Sequence, residues 1–178
     1  MHTVHTAKSL FLAFRVLDQS VRATRAAAGM LWLNDCVEVY LDGDRVANDY
    51  TPVTRPIGGN REGFLVRADA LGNQSAAGRE VGVSRWKVGA SRTEDGYVIE
   101  FDVPLDLIDT QDGPGFRPAT TGSELRMNVS ILDYDEPANR PGAYGVLWSE
   151  DRQWSLAHGG EDFWPVALRL TPAPAPHR

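Results

Sequence analysis

A chain of 178 residues, 42% hydrophobic and 24% charged, is long enough to bury one self-sufficient core and has the length of a single domain. No apolar run approaches the ~20 residues of a membrane span. The net charge is −6 and the 18 basic residues, all arginine except Lys8 and Lys87, are scattered singly, which excludes a phosphate-tracking stripe and with it a nucleic-acid partner. A single cysteine, Cys36, excludes an internal disulfide and a thiolate metal cluster, and beside a strand it reads as a small packing residue. The opening "MHTVHTAKSLFLAF" has neither a charged n-region nor a small-residue cleavage site, so no signal peptide is read there.

The dominant hydrophobic period is two. "SLFLAFRVLD" (Ser9–Asp18) is apolar on both faces, as expected of a strand inside a packed sheet. "SVRATRAAAG" (Ser20–Gly29) has a capping serine and a stopping glycine and predicts a short helix. Strands follow at Cys36–Asp42, Gly63–Asp69 and Ser84–Ala90, the last joined through "SRTEDG" to Tyr97–Val103 by a hairpin signal. "PLDLID" (Pro104–Asp109) predicts one helical turn, and Glu124–Asp133 and Pro165–Thr171 complete seven strands. Seven strands between Gly/Pro/Asp/Asn-rich loops, with little helical periodicity, predict an all-β fold: an antiparallel, jelly-roll-like β-sandwich with short helical turns in its loops. One module is expected over residues 1–171, and the Pro/Ala-rich tail 172–178 is expected to be disordered.

The strand parities leave polar sets opposite the apolar ones. Glu38 shares its parity with Tyr40 in "CVEVYLD"; Arg67, Glu100, Asp102, Arg126, Asn128 and Ser130 stand at matching positions of other strands. They form either the solvated outside of the sandwich or the rim of a site. Glu, Arg, Asn and Asp suit bidentate hydrogen bonding of paired hydroxyls, and Trp32, Trp148, Trp154 and Trp164 lie in loops. Aromatic planes beside planar donors and acceptors match a sugar ring, which has apolar C–H faces and a hydroxyl rim.

Several segments in order resemble the family 9 carbohydrate-binding modules and their DOMON-like relatives. "LFLAFRVLD" is similar to an apolar strand ending V-x-D, and "WLNDCVEVYLDGD" to W-x-x-D-x-V-E-[IV]-[FY]-[LI]-D. "GYVIEFDVPLDLI", "MNVSILDYDEPANR" (as N-V-x-[IV]-x-D-x-D) and "FWPVALRL" resemble the later strands. The resemblance implies non-catalytic binding of an oligosaccharide or polysaccharide, with a terminal ring clamped between two tryptophans. Trp32 and Glu38 match the family motif directly, Arg67 in "LVRAD" looks like the strand arginine, and "DRQW" offers Asp151 and Trp154 as the second clamp, with Trp148 and Trp164 as rivals. The resemblance also implies an extracytoplasmic setting. The family's opening I-D-G-x-x-D-E-x-W segment and first strand are missing here, so a sheet edge is expected to be exposed or completed by a neighbouring domain or chain.

Three rival chemistries were open at the residue level. No cofactor is required, but a structural calcium ion, also a family feature, would find hard oxygen ligands in Asp42, Asp44 and Asp49 of one loop and in Asp133, Asp135 and Glu136 of another. Glycoside hydrolysis would need two facing carboxylates, for which Glu38, Glu100 and Asp102 are the candidates. Haem ligation, known in DOMON-like relatives, would fall to Met30 and His158. A structural accessory domain that binds nothing is the remaining reading.

Overall fold

The computed structural model describes residues 1–23, 31–43, 64–78, 85–111, 115–134, 144–147 and 166–171. Ten strands lie among the described residues: β1 (His2–His5), β2 (Ser9–Leu17), β3 (Cys36–Asp42), β4 (Phe64–Asp69), β5 (Gln74–Gly78), β6 (Lys87–Thr93), β7 (Gly96–Pro104), β8 (Glu124–Asp133), β9 (Tyr144–Leu147) and β10 (Val166–Arg169). They form two antiparallel sheets, one in the order β1-β2-β7-β6 and the other β10-β8-β3-β4-β5. β9 joins the second sheet beside β10, pairing with Ser130–Asp133 of β8 while β10 pairs with Glu124–Met127.

The expected all-β sandwich is the observed one. Leu10, Leu12 and Phe14 of β2 and Tyr97, Ile99, Phe101 and Val103 of β7 belong to one core with Val37, Val39 and Leu41 of β3 and Leu125, Met127 and Val129 of β8. Every second residue of β2, β3, β7 and β8 is apolar along these stretches, so each sheet buries one face against the other. Trp86 closes this core, 1% exposed and stacked on Phe101 at 5.9 Å.

Several boundaries differ from expectation. The strand expected at Ser84–Ala90 runs from Lys87 to Thr93, because its hairpin to β7 is tight: Thr93 pairs directly with Gly96. The short β1, β5 and β9 have no strong alternation to announce them, and pairing with longer neighbours makes them strands. The turn expected after β7 is a 3-10 turn at Leu105–Leu107. Ser20–Ala23 are not helical, and the rest of the expected Ser20–Gly29 helix lies outside the described residues, as does the tail 172–178.

Candidate functional site

The antiparallel register of β3 with β4 and β8 sets Glu38 between Arg67 and Ser130, and Tyr40 between Leu65 and Asn128. Val37, Val39 and Leu41 face the core, so Glu38 and Tyr40 stand on the outer face of the sheet. That face is not the open, solvated surface the alternation predicts. Glu38 has no exposed area, Arg67 is 9% exposed, and Tyr40, Asn128 and Ser130 are buried.

A charge held away from water needs a partner, and Glu38 has two. Arg67 donates from Nε and Nη2 to Glu38 Oε1, and the Tyr40 hydroxyl donates to Glu38 Oε2 at 2.5 Å. Burial, and the negative Glu38 beside it, push the Tyr40 phenol well above its usual range, which keeps it a donor at neutral pH. Three side chains from two adjacent strands thus form one hydrogen-bonded donor–acceptor group. The register extends the group with Asn128 and Ser130, whose polar character the alternation of β8 also shows.

Trp32 lies in a 3-10 turn, Leu31–Leu33, just ahead of β3. Asp151, Trp154, Trp148 and Trp164 lie outside the described residues, as do Met30 and His158. The polar sets divide between the two sheets. Glu100 and Asp102 are on β7, paired with Gly89 and Lys87, in the other sheet from Glu38. Glu100 and Glu38 stand on opposite outer surfaces of the sandwich, so they do not face each other across a common ligand.

A second cluster takes in one of the expected metal residues, Asp133, with two that were not named. Asp18 after β2, Asp35 before β3 and Asp133 at the end of β8 bring one carboxylate oxygen each to within 4.8 Å of one another. Asp35 is the buried centre: it accepts from the backbone N–H of Arg22 and, at 2.7 Å, from that of Tyr134. Burial raises its pKa to about 6, against the pull of those two bonds and with help from Asp18 and Asp133. The Tyr97 hydroxyl is buried with no hydrogen-bond partner among the described residues, and burial first, then Cys36 and the three aspartates, raise its pKa. Three carboxylates at this spacing fit a hard cation such as calcium. Asp18 follows β2 and Asp133 closes β8, but nothing local in the sequence links either to Asp35, which precedes β3.

Of the metal residues expected from sequence, Asp42 and Asp133 lie among the described residues. Asp42 and Asp133 sit at opposite ends of the β3–β8 pair, since Asp42 is in register with Arg126 and Cys36 with Leu132. Seven residues of strand separate the two ends, roughly 23 Å, so these two aspartates cannot share an ion. Asp44, Asp49, Asp135 and Glu136 lie outside the described residues.

Among solved structures, the chain is similar to a family 9 carbohydrate-binding module from Caldicellulosiruptor kristjanssonii in complex with cellotriose. The TM-score is 0.67 at 12% identity, over 97% of this chain and 74% of that one. The same organism's family 9 module in complex with glucose gives a TM-score of 0.66 at 12% identity, over 99% of this chain and 77% of that one. At such identity the likeness speaks for the fold. No curated protein matches the chain. A model of the "Carbohydrate family 9 binding domain-like" family matches residues 1–158, and on that match the chain belongs to this family.

Proposed function

We propose that the chain binds carbohydrate without catalysis, holding a terminal sugar ring at a site built on Trp32, Glu38 and Arg67, with Asp151 and Trp154 supplying the second clamp. The observation that carries this reading is the hydrogen-bonded Glu38–Arg67–Tyr40 group, whose Glu38 stands six residues after Trp32 in the same segment. Planar donors and acceptors match vicinal hydroxyls, and Arg67 is the member that retains exposure. Family membership and the sugars held by the Caldicellulosiruptor modules support the same reading. The separation of Glu38 from Glu100 and Asp102 onto different sheets favours binding over hydrolysis, which needs paired carboxylates about 5–10 Å apart. Among the described residues no helix is long and apolar enough to cross a membrane. We place the protein outside the cytoplasm, where polymeric sugars are met.

Intrinsic tryptophan fluorescence during titration with glucose, cellobiose, cellotriose, xylobiose and the reduced control cellobiitol tests the site. A saturable change with Kd of roughly 10 μM to 1 mM is expected, lost in Trp32→Ala. Absence of the response to cellobiitol would assign the reducing end. A flat response to the whole panel from folded protein would count against the site.

We also propose that Asp18, Asp35 and Asp133 hold a structural calcium ion. The sign of the pH dependence follows from the raised pKa. Without a cation, the contribution of Asp35 is fully present below about pH 4 and is lost as pH rises through about 6. Relative to Asp35→Asn, the wild-type protein in chelator should therefore lose stability between pH 4 and pH 7, by up to about 3 kcal/mol. Calcium should restore it at pH 7.5 and have little effect at pH 4.5. Thermal unfolding with and without calcium measures this, and an equal midpoint in both at pH 7.5 would remove the ion from the proposal.

A further inference from the structure

Asp69 closes β4 two residues after Arg67, on the same outer face, and is fully buried. Its Oδ1 accepts the backbone N–H groups of Leu71 and Asn73, both at 2.9 Å, which shapes the β4–β5 turn. Its Oδ2 accepts Asn73 Nδ2 at 2.8 Å and, from a different element, Asn34 Nδ2 at 2.8 Å. Asn34 is itself 2% exposed, and its backbone N–H donates to the Leu31 carbonyl at 3.0 Å, closing the 3-10 turn that contains Trp32. The turn and the strand also touch directly. One carboxylate therefore joins the turn bearing Trp32 to the strand bearing Arg67, one pleat, roughly 6–7 Å, along the strand from that arginine.

We propose that Asn34 and Asp69 are positioning residues: their hydrogen bond fixes the Leu31–Leu33 turn, and Trp32 with it, against the strand that carries Arg67. The inference rests on the sugar-binding reading for its purpose and on the hydrogen bonds for its geometry. An aromatic platform gains most when it is held in place before the ligand arrives. The clamp needs both ends, because the turn has only three residues and makes no strand pairing of its own.

Asn34→Ala is the informative substitution. It releases the turn but leaves Asp69 three of its four donors, so no buried carboxylate is orphaned. Asn73→Ala removes the other side-chain donor to the same oxygen without touching the turn and serves as the control. The full chain is labelled with 5-fluorotryptophan, and the fluorine resonance missing from Trp32→Phe identifies Trp32. Asn34→Ala should move or broaden that resonance more than any other and weaken cellotriose binding about tenfold. The thermal midpoint should fall by no more than about 5 °C. Asn73→Ala should leave the resonance in place and the affinity within about twofold. An unmoved Trp32 resonance in Asn34→Ala, or one moved equally by Asn73→Ala, overturns the proposal. If wild-type protein binds no sugar, the sugar reading fails by itself, and the resonance still decides whether Asn34 positions Trp32.

Discussion

Arg67→Met should destabilise the protein by about 3–5 kcal/mol and abolish sugar binding. Glu38 has no exposed surface, so removing the guanidinium leaves a carboxylate in a water-poor layer with the Tyr40 hydroxyl as its remaining donor in the group. Methionine fills much of the arginine's volume, so lost packing contributes little and the effect is that of an uncompensated charge. Glu38→Gln in the Arg67→Met background removes that charge and should recover half or more of the loss, while sugar binding stays absent. The double-mutant cycle thus separates stability from recognition. Urea unfolding gives the first quantity and fluorescence titration the second. A loss below about 1 kcal/mol for Arg67→Met would mean that the pair is solvated like an ordinary surface bridge. Sugar binding by the double variant at wild-type affinity would remove Glu38 and Arg67 from the site.

Strand parity was legible in the sequence because the sheets have one face in a common core. Val37, Val39 and Leu41 face that core, and the alternation alone placed Glu38 and Tyr40 on the other side. What alternation does not carry is the burial of that other side. Period two distinguishes faces, and it assigns the polar face to water by default. Glu38, Arg67, Asn128 and Ser130 are nevertheless buried. Nor does it carry the strand order. Glu100 and Glu38 have the same local pattern, yet β7 pairs with β2 and β6 while β3 pairs with β4 and β8, which puts the two glutamates on opposite surfaces.

The acidic cluster was illegible for a related reason. Asp18, Asp35 and Asp133 come from three strand ends spread over 115 residues of sequence, and only the pairing of β3 with β8 and the approach of the other sheet unite them. The sequence instead draws attention to dense local runs such as "LDGDRVAND", where neighbouring aspartates lie close in the chain. Proximity in sequence is a poor guide here, since Asp42 at the start of that run lies at the far end of β3 from Asp35.

Gly96→Ala is expected to destabilise the protein by at least about 3 kcal/mol and to weaken the proposed calcium site with it. Gly96 opens β7 at φ +152°, a conformation that side chains rarely adopt, and a Cβ there would come within 2.0 Å of the Val16 carbonyl oxygen and 2.9 Å of the Asp18 nitrogen. Neither contact is a flexible side-chain end. Both are backbone of the adjoining chain, where Leu17 pairs with Gly96 and the Asp18 N–H donates to the Asp95 carbonyl at 2.9 Å. The collision is relieved only by pushing residues 16–18 away from β7, which carries Asp18 out of reach of Asp35 and Asp133. Gly122→Ala is the matched control: φ is +100° there, but a Cβ meets nothing within 4 Å, so it reports backbone strain alone, about 1–3 kcal/mol. Calcium should raise the thermal midpoint of Gly122→Ala as much as that of the wild type, and that of Gly96→Ala distinctly less. Equal destabilisation by the two substitutions would show that β2 yields without cost at this point. An undiminished calcium response in Gly96→Ala would show that Asp18 is not needed to hold the ion.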